Sequence, residues 1–182
     1  MTDRLHAAAT AQLAAWRTPD LGQNAVRHTV LAFLAARPDA CARACVPGHL
    51  TASALVLDHD STHVLLTLHP RVGRWIQLGG HCEDIDATLV DAALREAREE
   101  SGVQQLHIDP EVLHLDTHPV TCSLGVPTRH LDVRFLVRAE QGAEIVRSVE
   151  SVDLRWWPVD ALPESAAQDT VAELVGLALS RG

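Results

Sequence analysis

Three glutamates, Glu96, Glu99 and Glu100, stand at i, i+3 and i+4 in the run Arg95-Glu96-Ala97-Arg98-Glu99-Glu100-Ser101-Gly102-Val103. Residues three and four apart are neighbours on a helix, so this spacing puts three carboxylates on one face. Carboxylates that close repel one another unless a cation lies between them. Hard divalent cations take oxygen ligands, and Mg²⁺ is commonly held by a few carboxylates together with substrate phosphates. The face therefore suits Mg²⁺ or Mn²⁺ held against a phosphate-bearing small molecule. The bland alternative is a solvated charged helix, since Glu and Arg are good helix formers and Arg95 with Glu99 is an i, i+4 pair. On either reading Arg95 orients Glu99 rather than touching a substrate.

The flanking residues argue for the helix. Thr88-Leu89-Val90-Asp91 fits a capping box with Thr88 as N-cap. Val90, Ala93, Leu94, Ala97 and Ser101 follow the spacing of a buried stripe. The glutamates fall about a third of a turn from it, at its edge. Gly102 suits the left-handed position that ends a helix. Upstream, Trp75-Ile76-Gln77-Leu78-Gly79-Gly80 reads as a short strand running into a glycine loop, where backbone can approach an ion or phosphate closely.

These residues resemble the box of the Nudix hydrolase family, G-x5-E-x7-R-E-U-x-E-E-x-G-U, with U a bulky apolar residue. The second half matches at Arg95, Glu96, Glu99, Glu100, Gly102 and Val103, with a small Ala97 at the first U. The first half departs. Ala87 falls where the leading glutamate belongs, Asp86 is the nearest acid, and Gly80 is one residue too far from Arg95. We read this as a one-residue insertion within His81–Asp86. The wider resemblance runs over roughly residues 50–163 and ends in Trp157-Pro158-x-Asp160-x-Leu162-Pro163. It implies an α/β fold, a Nudix-like α/β/α sandwich with a mixed sheet, and a metal-dependent pyrophosphohydrolase acting on a nucleoside-diphosphate-linked or related diphosphate compound. It implies Glu99 and Glu100 as main ligands of Mg²⁺ or Mn²⁺, Glu96 as a ligand or the base that orients water, and the carbonyl of Gly79 or Gly80 as a further oxygen. An extra acid from outside the box often assists in this family. Glu150 is the candidate, with Asp132 weaker because it is expected to face solvent. Two other readings stand beside this one: an isopentenyl-diphosphate-isomerase-like enzyme, which would also use Cys and His, and a non-catalytic sensor of the same fold. The intact glutamates weigh against both.

The 182-residue chain has room for one domain with an extension, expected as a helical segment over 1–47 and a hydrolase domain over 48–182. No apolar run is long enough to span a bilayer. Cys41, Cys45, Cys82 and Cys122 are few and unpatterned, and no signal peptide opens the chain, so a reduced, cytoplasmic protein is expected. The net charge of −9 and the lack of a basic stripe argue against a general nucleic-acid binder. The chain has no lysine, which excludes Schiff-base and Walker-lysine chemistry. Cationic contact to phosphate must come from arginine, metal or protonated histidine. Arg71 and Arg74 could grip a phosphate through their planar forks, or simply be exposed loop arginines.

Leu5, Ala8, Ala9, Leu13 and Trp16 predict a first helix. Asn24 is the expected cap of a second, which ends at Arg37-Pro38-Asp39; the whole extension over 1–47 either simply packs on the domain or has a specificity or dimerisation role. Strands are predicted at Leu50–Leu57, Val64–Leu68, Val112–His118 and Leu154–Trp157. Leu131–Val137 reads as a half-buried strand with Asp132 and Arg134 outside. A last helix carries Val171, Leu174, Val175, Ala178 and Leu179. His49, His63, His69, His114, His118 and His130 are scattered, and His81-Cys82-Glu83 lacks the paired spacing of a structural zinc site, so zinc is not expected.

Overall fold

The structure, a computed structural model, describes residues 2–71, 73–121, 125–149, 151–167 and 170–181. Glu150 and Cys122 lie outside the described residues. The elements in chain order are α1 (Thr2–Ala15), α2 (Leu21–Ala36), β1 (His49–Leu57), β2 (His63–Leu68), β3 (Trp75–Ile76), β4 (Leu78–His81), α3 (Leu89–Ser101), β5 (Leu106–Thr121), β6 (Pro127–Ala139), β7 (Asp153–Pro158), α4 (Glu164–Ala167) and α5 (Thr170–Leu179).

The seven strands form one mixed sheet in the order β3-β2-β1-β6-β5, with β4 paired to β1 and β7 to β2. Parallel pairing joins β1 to β6, and the other pairs are antiparallel. All nine residues of β1 are buried, as expected of a central strand covered on both faces. Alternation along β1 sorts the core into layers. Ala52, Ala54 and Val56 pack with Leu89, Ala92, Ala93 and Ala97 of α3. Leu55 and Leu57 pack with Val171, Leu174, Val175 and Ala178 of α5. The alanines on both β1 and α3 let helix and sheet approach closely. The result is the α/β/α sandwich the sequence implied. Leu5, Ala9 and Leu13 of the first helix, Trp16 just after it, and Val30 and Leu34 of the second join the α3-side core, so the N-terminal helices pack on the sheet.

Some expectations are corrected. Asp20, not Asn24, caps α2, accepting from the Gln23 N–H at 2.8 Å. Asn24 sits inside the helix and accepts from Arg27 Nε. Gly79 and Gly80 belong to β4 itself rather than to a loop. Every residue from Leu131 to Val137 is buried, so β6 is covered on both faces and Asp132 and Arg134 lie in the interior.

Candidate active site

Local chemistry fixes α3 at both ends. The Thr88 hydroxyl accepts from the Asp91 N–H at 3.1 Å. Gly102 takes φ 71°, and a Cβ there would also lie 2.7 Å from Val146 Cβ. Between the caps, the three glutamates meet different surroundings. Glu100 is buried and accepts from the Gly79 N–H at 3.2 Å. Glu96 is nearly buried, its carboxylate lying where a Cβ on Gly80 would come within 2.7 Å. Glu99 is largely exposed. The face therefore begins against the glycine backbone of β4 and opens to solvent at Glu99.

Arg95 holds this face together. Its side chain is only 12% exposed, and each N–H of the guanidinium has a partner. Nε and Nη2 grip the two oxygens of Asp86 at 3.1 and 3.0 Å, Nη2 also reaches the His81 carbonyl at 2.9 Å, and Nη1 donates to Glu96 and Glu99, both at 3.0 Å. Burial works against the charge, but the hydrogen bonds Arg95 donates to Asp86 and Glu96, together with their charges, outweigh it and raise the Arg95 pKa. A lysine could not make this fork.

Asp86 is thus a buried partner of Arg95. It lies six residues after Gly80, the family's own spacing. With Asp86 aligned to the leading glutamate, the extra residue falls after Asp86, where the chain turns into α3, rather than within His81–Asp86. Glu83 is only a distant partner of Arg95, at 4.0 Å, and is mostly exposed.

The other predicted residues are placed as follows. Arg71 and Arg74 are exposed on the segment between β2 and β3, and the Arg71 charge reaches His81. Glu150 lies outside the described residues. Cys82 is buried, which pushes its thiol pKa up and leaves it a packing residue. Asp132, expected to face solvent, is 3% exposed. It accepts from Thr51 at 2.9 Å, Ser53 at 2.8 Å and Arg134 Nε at 2.8 Å. Burial opposes its ionisation, but Arg134 and these hydroxyls outweigh burial and hold its pKa below the usual value. Arg134 continues to Asp116 at 2.8 Å, and Asp116 accepts from His118 at 2.8 Å. The signal available in the sequence was the alternation His130-x-Asp132-x-Arg134, which puts opposite charges on one strand face.

On that same face, three histidines scattered in sequence come together. His49, His81 and His130 each present a ring nitrogen within 4.8 Å of the others. Burial lowers all three pKa values, His81 to about 3 and His130 to about 4. The sequence reading of isolated histidines is corrected: register, not spacing, assembles them.

The NUDIX domain family model matches residues 47–175. The chain belongs to the Nudix family. That membership makes it an enzyme of the Nudix pyrophosphohydrolase type. No curated protein sequence matches it. Among solved structures, a C. elegans Ap4A hydrolase binary complex is 18% identical, with 72% of this chain and 96% of that one covered and a TM-score of 0.56. The E. coli dihydroneopterin triphosphate pyrophosphohydrolase is 20% identical over 72% of this chain and 92% of its own, at 0.55. A Nudix-family hydrolase from Clostridium perfringens is 22% identical over 71% and 97%, at 0.52. These likenesses establish the sandwich as the Nudix fold.

Proposed function

We propose that this Nudix protein cleaves a pyrophosphate linkage in a nucleoside-diphosphate-linked or related diphosphate small molecule, with Mg²⁺ or Mn²⁺ as cofactor. The observation that carries the reading is the carboxylate face turned onto the bare backbone of β4: Glu100 on the Gly79 N–H, Glu96 over Gly80. The donor set is all oxygen, which suits a hard divalent ion. The missing side chain of Gly80 leaves the space the Glu96 carboxylate occupies. Glu96, Glu99, Glu100 and the Gly80 carbonyl would hold the cation. When bound, such an ion polarises the phosphate and lowers the pKa of a bound water.

The chain's own groups do the rest. Arg95 fixes Glu96 and Glu99 through one nitrogen, so either carboxylate is placed to orient a water or take its proton. Glu150 is the further acid we assign to assist. Arg71 and Arg74, in a chain without lysine, supply cationic contact to the phosphates. Substrates of this chemistry occur on the same fold, as the Ap4A and dihydroneopterin triphosphate enzymes show for themselves. The buried thiols of Cys41, Cys45 and Cys82 suit a reducing compartment such as the cytoplasm.

The test is phosphate release over a panel of nucleotides, dinucleotide cofactors and nucleotide sugars, with Mg²⁺, with Mn²⁺ and in chelator. Turnover of at least one diphosphate compound, abolished by chelator, is expected. Turnover undiminished in chelator would overturn the reading.

A further inference from the structure

His49, His81 and His130 come from three different strands, and sheet register brings them together. His49 pairs with His130 across β1 and β6, while His81 is the partner of Thr51 across β4 and β1. Neighbouring residues of a strand face opposite ways. Gly80 therefore faces Glu96 and α3, and His81 faces the other side of the sheet, with His49 and His130. The rings sit 5.0 to 5.2 Å apart, centre to centre.

Two of these rings present nitrogens that the fold leaves unused. His49 is 1% exposed. Its Nδ1–H donates to the Cys45 carbonyl at 3.3 Å, which fixes the tautomer and leaves a lone pair on Nε2. That Nε2 is buried and has no hydrogen-bond partner, and the same holds for His130 Nε2. A buried polar atom without a partner costs about 1–3 kcal/mol; among the described residues there are four, and two of them, besides His114 Nδ1 and Trp157 Nε1, belong to this one cluster. A ring held by a backbone carbonyl through one nitrogen, with the other left without a partner, is the arrangement metal-ligating histidines show.

We propose that His49, His81 and His130 bind one transition-metal cation, Zn²⁺ in class, at a site across the sheet from the carboxylate face. Imidazole suits zinc, whereas Mg²⁺ takes oxygen. Zinc at the usual bond length of about 2.0–2.1 Å holds tetrahedral ligands about 3.4 Å apart. Binding would draw together nitrogens that now lie up to 4.8 Å apart. Three protein ligands leave a fourth position for water or an anion.

The experiment uses the full chain, stripped with chelator, desalted, and titrated with Zn²⁺ and separately with Co²⁺. Wild type is expected to retain one zinc per chain in excess Mg²⁺, and Co²⁺ to give the visible absorption of a tetrahedral site. His49→Gln and His81→Gln should each weaken zinc binding at least ~100-fold, and Glu100→Gln should leave it unchanged. His81 is only part-buried, so its variant keeps the test open if His49→Gln fails to fold, with thermal melting as the check. No zinc retained by folded wild type would overturn the site. So would full retention by folded His81→Gln, or loss in Glu100→Gln alone. None of these outcomes bears on phosphate release at the carboxylate face.

Discussion

Removing Asp86 should cost far more than removing its neighbour Glu83. The Asp86 side chain is 3% exposed and Arg95 12%. Asp86→Ala deletes two charge-assisted bonds to the guanidinium, and also the acceptor for the Glu83 N–H at 2.7 Å. Breaking one side of a buried ion pair costs about 3–5 kcal/mol, because the surviving charge stays desolvated. Arg95 keeps the His81 carbonyl, Glu96 and Glu99, so the low end of that range applies, about 3 kcal/mol. Asp86→Asn retains one acceptor oxygen but turns an amide N–H₂ toward the guanidinium, and should cost roughly 2 kcal/mol. Glu83 is mostly exposed and lies 4.0 Å from Arg95, so Glu83→Ala should cost less than about 1 kcal/mol. Urea titration of the three variants, with m-values compared, reads these differences directly. Turnover should fall with Asp86, since the same guanidinium holds Glu96 and Glu99. If the Asp86 and Glu83 variants were equally and only slightly destabilised, Arg95 would not depend on Asp86, and the assignment of Asp86 to the missing glutamate's place would be wrong.

Glu99→Gln and Glu100→Gln should each lower kcat at least ~10²-fold with little change in melting temperature, because an amide preserves shape but is a poor ligand for a hard cation; steady-state kinetics within a few-fold of wild type would remove either from the site. Gly80→Ala should displace Glu96, whose carboxylate stands 2.7 Å from the added Cβ; activity should fall sharply while far-ultraviolet circular dichroism stays native, and full activity would show that Glu96 is free to shift. The His118 hydrogen bond first, and the Arg134 charge with it, depress the Asp116 pKa from 3.8 to about 2. A depressed carboxyl stabilises the fold above its unfolded pKa and stops doing so as pH falls through its folded one. Stability should therefore drop between about pH 4 and pH 2, and Asp116→Asn should flatten that part of a urea-midpoint profile; an unchanged slope would contradict the contact.

The sequence by itself determined the helix of the acidic run, its two caps and the family, because these rest on local rules. Thr88, the i, i+3, i+4 glutamates and Gly102 each act within a few residues of one another, and helix hydrogen bonding carries that information along the chain. The strand positions were legible for the same reason, as runs of apolar residues broken by turns. What only the tertiary structure decided was everything that depends on strand register and two-sided burial. Asp132 and Arg134 alternate with apolar neighbours as a solvent-facing row would, yet β6 lies between β1 and β5 with both faces covered, so the charges pair inside. Asp86 could be recognised as Arg95's partner only when the loop folded back on α3. The three histidines are separated by dozens of residues, and pairing of β1 with β4 and β6 brings them to one place. Local patterns record which face a residue takes within its own element, while the fold decides what stands opposite that face.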